Sequence, residues 1–173
     1  RDTANKRTRS NDAYTPDGRS DMRPDRAVTV YSRILKELYP NTPLLLGGVE
    51  ASLRRVTHYD YWEDALHPTI LADTKADLLI YGMGEQPLKE VVRQVKQGKS
   101  IGELNHIPQT AFLRPLKEVP ENRSREEAML FSHEECLADK KKQAQNFRVV
   151  EEQSNRLNAA RILQEVNHRM LVV

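Results

Sequence analysis

The sequence predicts an α/β fold in which parallel strands alternate with helices that cross from one strand to the next. Three observations predict it. The apolar runs at 43–48 and 77–82 both end in glycine, as buried parallel strands do before a tight turn. Apolar residues at helical spacing precede the first run and follow the second. Beyond Pro120 neither proline nor glycine occurs, which predicts a long helical C-terminal segment.

The first helix is predicted to begin at Pro24, after a polar loop over residues 1–23 that we expect to be partly disordered. Proline suits a first helical turn, where its missing N–H would have no partner in any case. Pro40 cannot continue the helix, which is therefore expected to end near Tyr39. The apolar stripe of this amphipathic helix consists of Ala27, Val30, Ile34, Leu35 and Leu38.

Between the two predicted strands, Ser52 is placed to cap a short helix over 53–55. After the second strand, Pro87 is predicted to open a helix that ends at Gly98 in a left-handed turn. A further strand is expected at 110–113. The apolar stripe of the second long helix consists of Leu88, Val91, Val92 and Val95.

In the C-terminal segment, Ser132 and Glu135 have the spacing of a capping box, in which each side chain satisfies a free backbone N–H. We predict a long helix from Ser132 to Gln153 and a second helix over 158–166. The run 171–173 is apolar, is typical of a buried strand and ends abruptly, and the first residue is not Met. We therefore expect an internal piece of a longer protein.

The bulk composition excludes several classes of function. The 173 residues carry 27 basic and 25 acidic side chains, so no global field attracts a polyanion. A single cysteine, Cys136, excludes an internal disulfide and a metal site made of several thiolates. No apolar run reaches the roughly 18 residues of a membrane span, and no signal peptide is evident, so a cytoplasmic location is expected. The predicted organisation is a polar loop (1–23), an α/β domain (24–120) and a helical extension (121–173).

The ends of the two predicted strands are the strongest candidates for a binding crevice. Ligands of open parallel sheets bind outside the carboxyl ends of the strands, and glycine there allows a backbone to approach a ligand closely. A carboxylate after each glycine pair is a potential acceptor for a ligand hydroxyl. The candidate cofactor-binding residues are Gly47, Gly48, Glu50, Gly82, Gly84 and Glu85.

A purely structural interpretation of these residues stays open. The glycines alone would make tight turns, since the full dinucleotide fingerprint G-x-G-x-x-G is absent. Glu50 and Glu85 would equally complement the positive end of a helix, and this role is the more common one at such positions. No catalytic residue is assigned.

Other features give weaker signals. The stretch 58–64 is rich in aromatic and acidic residues. It is either a surface on which a base or planar cofactor stacks or an aromatic cover for the sheet edge, and we favour the cover. The five histidines lack metal-ligand spacing, so no metal site is predicted. The N-terminal basic residues are interleaved with aspartates that weaken any field for phosphates; they are Lys6, Arg7, Arg9 and Arg19.

Several long motifs resemble the N-terminal region of YgiQ-type radical SAM proteins. They are Asp12-Ala-Tyr-Thr-Pro-Asp-Gly18, Arg23-Pro-Asp-Arg-Ala27, Gly47-Gly-Val-Glu-Ala-Ser-Leu-Arg-Arg55, His58-Tyr-Asp-Tyr-Trp62 and Lys75-Ala-Asp-Leu-Leu-Ile-Tyr-Gly-Met-Gly-Glu85. The resemblance is dense from Ser10 to Val95 and thinner through Leu157-Asn-Ala-Ala-Arg-Ile-Leu-Gln164.

The resemblance implies a partial Rossmann-like, cobalamin-binding-like domain that precedes a radical SAM barrel. That barrel would hold a [4Fe–4S] cluster on three cysteines and cleave S-adenosylmethionine reductively. Neither the three-cysteine motif nor the Asp-x-His-x-x-Gly cobalamin motif occurs in this chain. The expected first strands of such a domain also lie upstream of Arg1.

We therefore expect an accessory domain of a radical SAM enzyme of unknown substrate, non-catalytic in itself, whose partner is the barrel of the same chain. The alternatives are a module that binds a cobalamin-like or nucleotide ligand at the glycine turns, and RNA contact through the N-terminal loop and the aromatics at 59–62. Nucleic acid is the least favoured partner. A homodimer through an exposed sheet edge is a further expectation, because unpaired strands are templates for pairing.

Overall fold

The computed structural model describes residues 11–123 and 126–173. The strands are β1 Leu45–Leu46, β2 His58–Asp60, β3 Ala65–His67, β4 Leu78–Ile80, β5 Thr110–Pro115, β6 Glu127–Met129, β7 Arg161–Val166 and β8 Arg169–Val172. The helices are α1 Ala27–Leu38, α2 Gly48–Leu53, α3 Ile70–Thr74, α4 Glu85–Lys96, α5 His133–Ala138 and α6 Lys140–Ser154. Residues 1–10, which include most of the predicted polar loop's basic side chains, lie outside the described ranges.

The main sheet has six strands in the order β1-β4-β5-β8-β7-β6, and β2 pairs with β3 in a separate hairpin. The predicted α/β class with flanking helices is confirmed. The expectation of a wholly parallel sheet is wrong in the middle of the sheet: β1–β4 and β6–β7 are parallel, whereas β4–β5, β5–β8 and β8–β7 are antiparallel. The two-residue turn Asn167–His168, with both φ values positive, joins β7 to β8 and makes that pair antiparallel.

The C-terminal segment departs most from prediction. The capping box of Ser132 and Glu135 is confirmed, but the helix it begins stops at Ala138. Asp139 adopts an extended conformation and caps a new helix, α6, through a 2.9 Å hydrogen bond from the Lys141 amide. The predicted helix over 158–166 is wrong, because this segment is β7, paired on both sides by β6 and β8. The predicted buried strand at 171–173 is confirmed by β8.

Apolar side chains form a core on each face of the main sheet. Along β4 the side chains alternate, so Leu79 packs with Ile70 and Leu113 on one face. Leu78 packs with Val91 and Phe112 on the other face. Helices α1 and α3 contact each other on the first face, and α4 covers the second through Val91.

Helices α1 and α4 form where the sequence predicts amphipathic helices, and Gly98 ends the second with a φ of +92°. Their apolar stripes, however, are largely exposed. In α1 the buried residues are Thr29 and Ser32, while Leu38 is 65% exposed. In α4 only Pro87 and Val91 are buried. The exposed apolar residues are Tyr31, Ile34, Leu35 and Leu38 on α1 and Leu88, Val92 and Val95 on α4.

Candidate functional site

The two predicted glycine turns lie side by side. Strands β1 and β4 are parallel neighbours, with Leu46 opposite Leu79, so both chains leave the sheet at the same edge. Gly47 and Gly48 follow β1, and Gly82 and Gly84 follow β4. The structure thus brings the four glycines of the predicted crevice together.

Ser52 links the two turns. Its hydroxyl oxygen accepts a hydrogen bond from the Gly82 amide at 3.3 Å and donates one to the Gly48 carbonyl at 2.8 Å. The prediction that Ser52 caps a helix over 53–55 is wrong, because α2 already begins at Gly48, with Gly47 as its N-cap residue. Inside the helix the hydroxyl is free to reach the carbonyl four residues back and the neighbouring turn.

Gly82 is required by its surroundings. Its φ is +68°, and a Cβ at this position would lie 2.9 Å from Nε2 of Gln109. Gln109 also has a positive φ of 60°, and its carbonyl accepts a hydrogen bond from the Tyr81 amide at 3.0 Å. The start of β5 is therefore held against the end of β4.

The two predicted carboxylates do not converge on a common point. Glu50 pairs with Arg54 at 3.2 Å on its own helix. Glu85 is exposed in the first turn of α4, where a negative charge complements the helix dipole. Neither residue lines the large cleft described next. A ligand-contacting role for Glu50 and Glu85 stays a prediction.

An open cleft of about 990 Å³ lies beyond the ends of β4 and β8. Its apolar wall includes Tyr81, Ile162 and Val173. Its polar lining residues are Arg55, Gln109, Glu126, Gln153, Ser154, Arg156 and Asn158. The cleft adjoins the glycine turns because Tyr81 directly precedes Gly82.

Arg55 lines this cleft and also a second cavity of the domain. Its guanidinium carbon lies 4.9 Å from the centre of the Tyr81 ring, and its Nη1 donates to the Ser52 carbonyl at 2.7 Å. Its Nε is buried and has no hydrogen-bond partner among the described residues. Arg55, Tyr81 and Gln109 are not among the residues predicted for the crevice from the sequence. The signal that would have found the first two is their position beside the glycine-bearing strand ends.

A second cavity, of about 720 Å³, lies between the β2–β3 hairpin and α6. Tyr59 and Phe147 line it and are 56% and 62% exposed. The predicted aromatic stretch 58–64 thus forms the hairpin, where Tyr61 and Trp62 pack against each other with ring centroids 5.1 Å apart. The stacking role for a base stays a prediction.

Asp60 anchors this hairpin to the rest of the domain. Its carboxylate accepts hydrogen bonds from the Trp62 and Glu63 amides and lies 2.9 Å from Nη2 of Arg26. Burial by itself would raise the pKa of Asp60, but the two amides and the guanidinium groups of Arg26 and Arg54 together hold that pKa below its ordinary value.

Two histidines near the second cavity, His58 and His133, have lowered pKa values. Burial lowers the pKa of His58 to about 4, and its ring stacks on His67 at 6.0 Å. Burial likewise lowers the pKa of His133, whose Nδ1 lies 3.1 Å from the Thr57 hydroxyl. In the described ranges, no three histidine, cysteine or acidic residues form a group that could hold a metal ion.

The side chains of this chain do not fit an iron–sulfur cluster. Such a cluster takes several thiolates, whereas Cys136 is the only cysteine of the sequence. The thiol is buried, which raises its pKa, and its sulfur lies 3.1 Å from the Asn146 amide nitrogen. Cys136 is thus a packed structural thiol.

Two further expectations concern nucleic acid and membranes. Lys6, Arg7 and Arg9 lie outside the described residues, and Arg19 lies 3.8 Å from Asp17. RNA contact through this loop therefore stays a prediction. Among the helices of the described ranges, none is both long enough and apolar enough to cross a membrane.

Comparisons with known proteins agree on one family. The family model described as Radical SAM N-terminal matches residues 1–173. The chain is 58% identical to a UPF0313 protein of Porphyromonas gingivalis and 55% identical to one of Bacteroides thetaiotaomicron, with 99% of the chain aligned in each case. It is 37% identical to a UPF0313 protein of Clostridium botulinum over 98% of its length.

The chain spans only 27%, 29% and 26% of the lengths of these three relatives. No solved structure matches the chain significantly. The match of the family model over the whole chain agrees with the resemblance of the motifs around both glycine turns. The chain belongs to the Radical SAM N-terminal family.

Proposed function

We propose that this chain is an accessory α/β domain of a radical SAM enzyme of unknown substrate and that it has no catalytic activity of its own. In this proposal the domain docks on other parts of the same polypeptide. Family membership supports it, and so does the small share of its relatives' length that the chain spans. The observation that carries it is the apolar surface around strand β1.

Strand β1 forms one edge of the main sheet and contains only Leu45 and Leu46. Helix α1 lies on one face of the sheet and α4 on the other, and both present exposed apolar stripes. We call this surface the β1 edge surface; it consists of β1 and the exposed apolar residues of α1 and α4. Exposed apolar patches flanking an unpaired strand are typical of surfaces covered by another protein segment.

The proposed occupant is a further segment of the longer polypeptide rather than a separate protein. Relatives of this family are more than three times as long as the region they share with this chain, so they contain enough additional chain to cover the surface. A strand added beside β1 would satisfy its free backbone groups, and helices beside it would bury the stripes.

The experiment measures the effect of each of two substitutions on stability, once in the 173-residue chain and once in the full-length polypeptide. Ile34→Glu and Val92→Glu place a charge at positions that are 46% and 45% exposed in this chain. In the short chain each should change the free energy of unfolding by less than about 0.5 kcal/mol. In the full-length protein each should destabilise by about 1–3 kcal/mol, because the charge is then buried without a partner.

Met129→Glu is the control, since Met129 is 63% exposed and lies on β6 at the opposite edge of the sheet. It should be neutral in both settings. Equal effects of Ile34→Glu and Met129→Glu in the full-length protein would overturn the proposal. A short chain that forms dimers dissociated by Ile34→Glu would assign the surface to a second copy, the predicted homodimer, instead.

The implied cofactors belong to the remainder of the enzyme in this proposal. A [4Fe–4S] cluster with S-adenosylmethionine would supply a radical by reductive cleavage, and the lone buried Cys136 takes no part in holding it. The unpaired thiol also accords with the proposed cytoplasmic setting.

Ligand binding at the strand ends is the second candidate function. The observation that favours it is the Ser52 bridge, which joins the Gly48 and Gly82 turns beside the 990 Å³ cleft. None of the six residues of the predicted crevice, Gly47, Gly48, Glu50, Gly82, Gly84 and Glu85, lines the cleft itself, so their ligand-contacting role stays a prediction. The two predicted ligand classes are a cobalamin-like ligand and a nucleotide. We favour the nucleotide, because an arginine, Arg55, lines the cleft.

A further inference from the structure

We propose that the cleft beside Tyr81 binds a nucleotide-sized phosphate ester and that Arg55 is its anion-binding residue. This proposal rests on the second candidate function, ligand binding at the strand ends, and is independent of docking through the β1 edge surface. Three properties of the cleft carry it: the state of Arg55, the charge balance of the walls and the size of the space.

Arg55 is fixed in place but has donors to spare. Its contact with the Tyr81 ring and its hydrogen bond to the Ser52 carbonyl hold the guanidinium in one orientation. A guanidinium has five N–H donors, and the buried Nε has no acceptor within the described part of the chain. An Nε without accessible surface cannot be reached from the cleft, but no hydrogen bond occupies Nη2 in the described ranges, and an anion there would accept a charge-assisted hydrogen bond.

The neighbouring arginines are neutralised, whereas Arg55 is not. Arg54 pairs with Glu50, Arg26 pairs with Asp60, and Arg161 pairs with Glu127. Arg55 forms no ion pair with any residue that the structure describes. A fixed and unpaired guanidinium is the arrangement that recognises phosphate.

The opposite wall of the cleft adds a second cation and neutral amides. Arg156 is exposed there and lies 3.5 Å from Glu126, the one acidic side chain in the lining. Gln109, Gln153 and Asn158 offer amide groups that both donate and accept. Two guanidinium groups face one acidic side chain, and this balance favours an anion where Val173, whose terminal carboxylate adds a negative charge to the lining of the 173-residue chain, continues into a peptide bond.

The size of the cleft selects a ligand larger than free phosphate. Its volume of about 990 Å³ lies at the upper end of the range typical of sites for organic ligands. Pro108 and Leu157 provide apolar surface against which a planar ring can lie. A phosphate group at Arg55 with a ring on this surface is therefore the ligand class that the cleft fits.

The test measures binding of ADP, pyrophosphate and adenosine to the full-length polypeptide by isothermal titration calorimetry. ADP should bind saturably, pyrophosphate more weakly and adenosine weakest, with affinity that falls as the salt concentration rises. Arg55→Gln should weaken ADP binding at least about tenfold. Arg55→Lys should weaken it less, because the charge is kept while the planar fork is lost.

Two variants keep the outcome interpretable. Arg148→Gln is the control, since Arg148 is exposed on α6, pairs with Glu152 and is absent from the cleft; it should leave ADP binding unchanged. Should Arg55→Gln unfold the chain, Arg156→Gln tests the same site from an exposed position and should weaken ADP binding about threefold.

Equal binding of adenosine and ADP would overturn the role of Arg55, and the absence of saturable binding of ADP and pyrophosphate at millimolar concentration would overturn the site. Neither result bears on docking, which is tested by the stability of the Ile34 and Val92 variants.

Discussion

The side chain of Asn146 pairs with both main-chain groups of Phe131. Its Oδ1 accepts a hydrogen bond from the Phe131 amide and its Nδ2 donates one to the Phe131 carbonyl, each at 2.9 Å. Gln164 on β7 donates to the same carbonyl at 3.0 Å, and its Oε1 accepts from the Thr57 amide. Asn146 is 4% exposed, so this buried polar network joins α6, the start of α5 and β7.

Asn146→Ala should destabilise the chain by about 1–3 kcal/mol, because the Phe131 amide loses its acceptor and the Phe131 carbonyl loses one of its two amide donors. Urea unfolding followed by circular dichroism measures the change. Asn155→Ala is the control, since Asn155 is exposed and bonds only to the Glu151 carbonyl of its own helix end. Equal effects of the two substitutions would show that the Asn146 network contributes nothing particular.

Gly82→Ala should destabilise by about 1–2 kcal/mol through its left-handed backbone, while the Gln109 amide, the end of a flexible side chain, can move away from the added Cβ. Gly98→Ala has a φ of +92° with open space around it, so it measures the backbone effect alone. Gly47→Ala should be nearly neutral, since its nearest contact would be the Ile80 carbonyl at 3.9 Å. Thermal denaturation of the three variants checks this order, and a Gly82→Ala value as small as that of Gly47→Ala would contradict it.

The stability of the chain should fall as the pH decreases from about 6.5 to about 4. Burial lowers the pKa of folded His58 to about 4, below the ordinary value of 6.5 that the unfolded chain retains. In that window the unfolded state therefore binds more protons, and acid favours it. Chemical denaturation across this pH range should give a smaller slope for His58→Gln than for the unaltered chain.

His168→Asn is the matched control for this pH dependence, because His168 lies in the exposed turn between β7 and β8 and asparagine tolerates its positive φ. It should leave the slope unchanged. The lowered pKa of His133, also caused by burial, keeps part of the slope in the His58 variant. An identical slope for His58→Gln and the unaltered chain would contradict the assignment.

Ser52→Ala should accelerate amide hydrogen exchange at Gly82 several-fold, because that amide loses its hydroxyl acceptor. Nuclear magnetic resonance resolves exchange at the single amide. Ser154→Ala removes a hydroxyl that bonds only within its own helix, to Val150, and should leave Gly82 unchanged. Unaltered exchange in Ser52→Ala would mean that the two turns are not coupled through this hydroxyl.

Local signals in the sequence predicted those parts of the fold that local forces determine. The strands before Gly47 and Gly82, the helix ended by Gly98 and the capping box at Ser132 each depend on residues within a few positions of one another. The sequence also predicted that the two glycine turns are adjacent, because two parallel strands direct their carboxyl ends to one edge of the sheet.

Long-range pairing determined the parts that were not predicted. Residues 161–166 have no proline or glycine and were expected to be helical, yet β6 and β8 on either side make them a strand. The exposure of the α1 stripe depends on which face of α1 meets α3 and the sheet, and the buried residues of α1 are Thr29 and Ser32. Gln109 reaches the cleft because β5 runs antiparallel to β4, which no pattern in the sequence specifies.

Strand β5 pairs with β4 on one side and with β8 on the other, so it joins a half-sheet from the first hundred residues to one from the last fifty. Neither half can unfold without removing backbone hydrogen-bond partners from β5, which both halves share. Heat should therefore unfold both halves in a single cooperative transition, with the amides of Ala111 and Leu113 among the last to exchange with solvent.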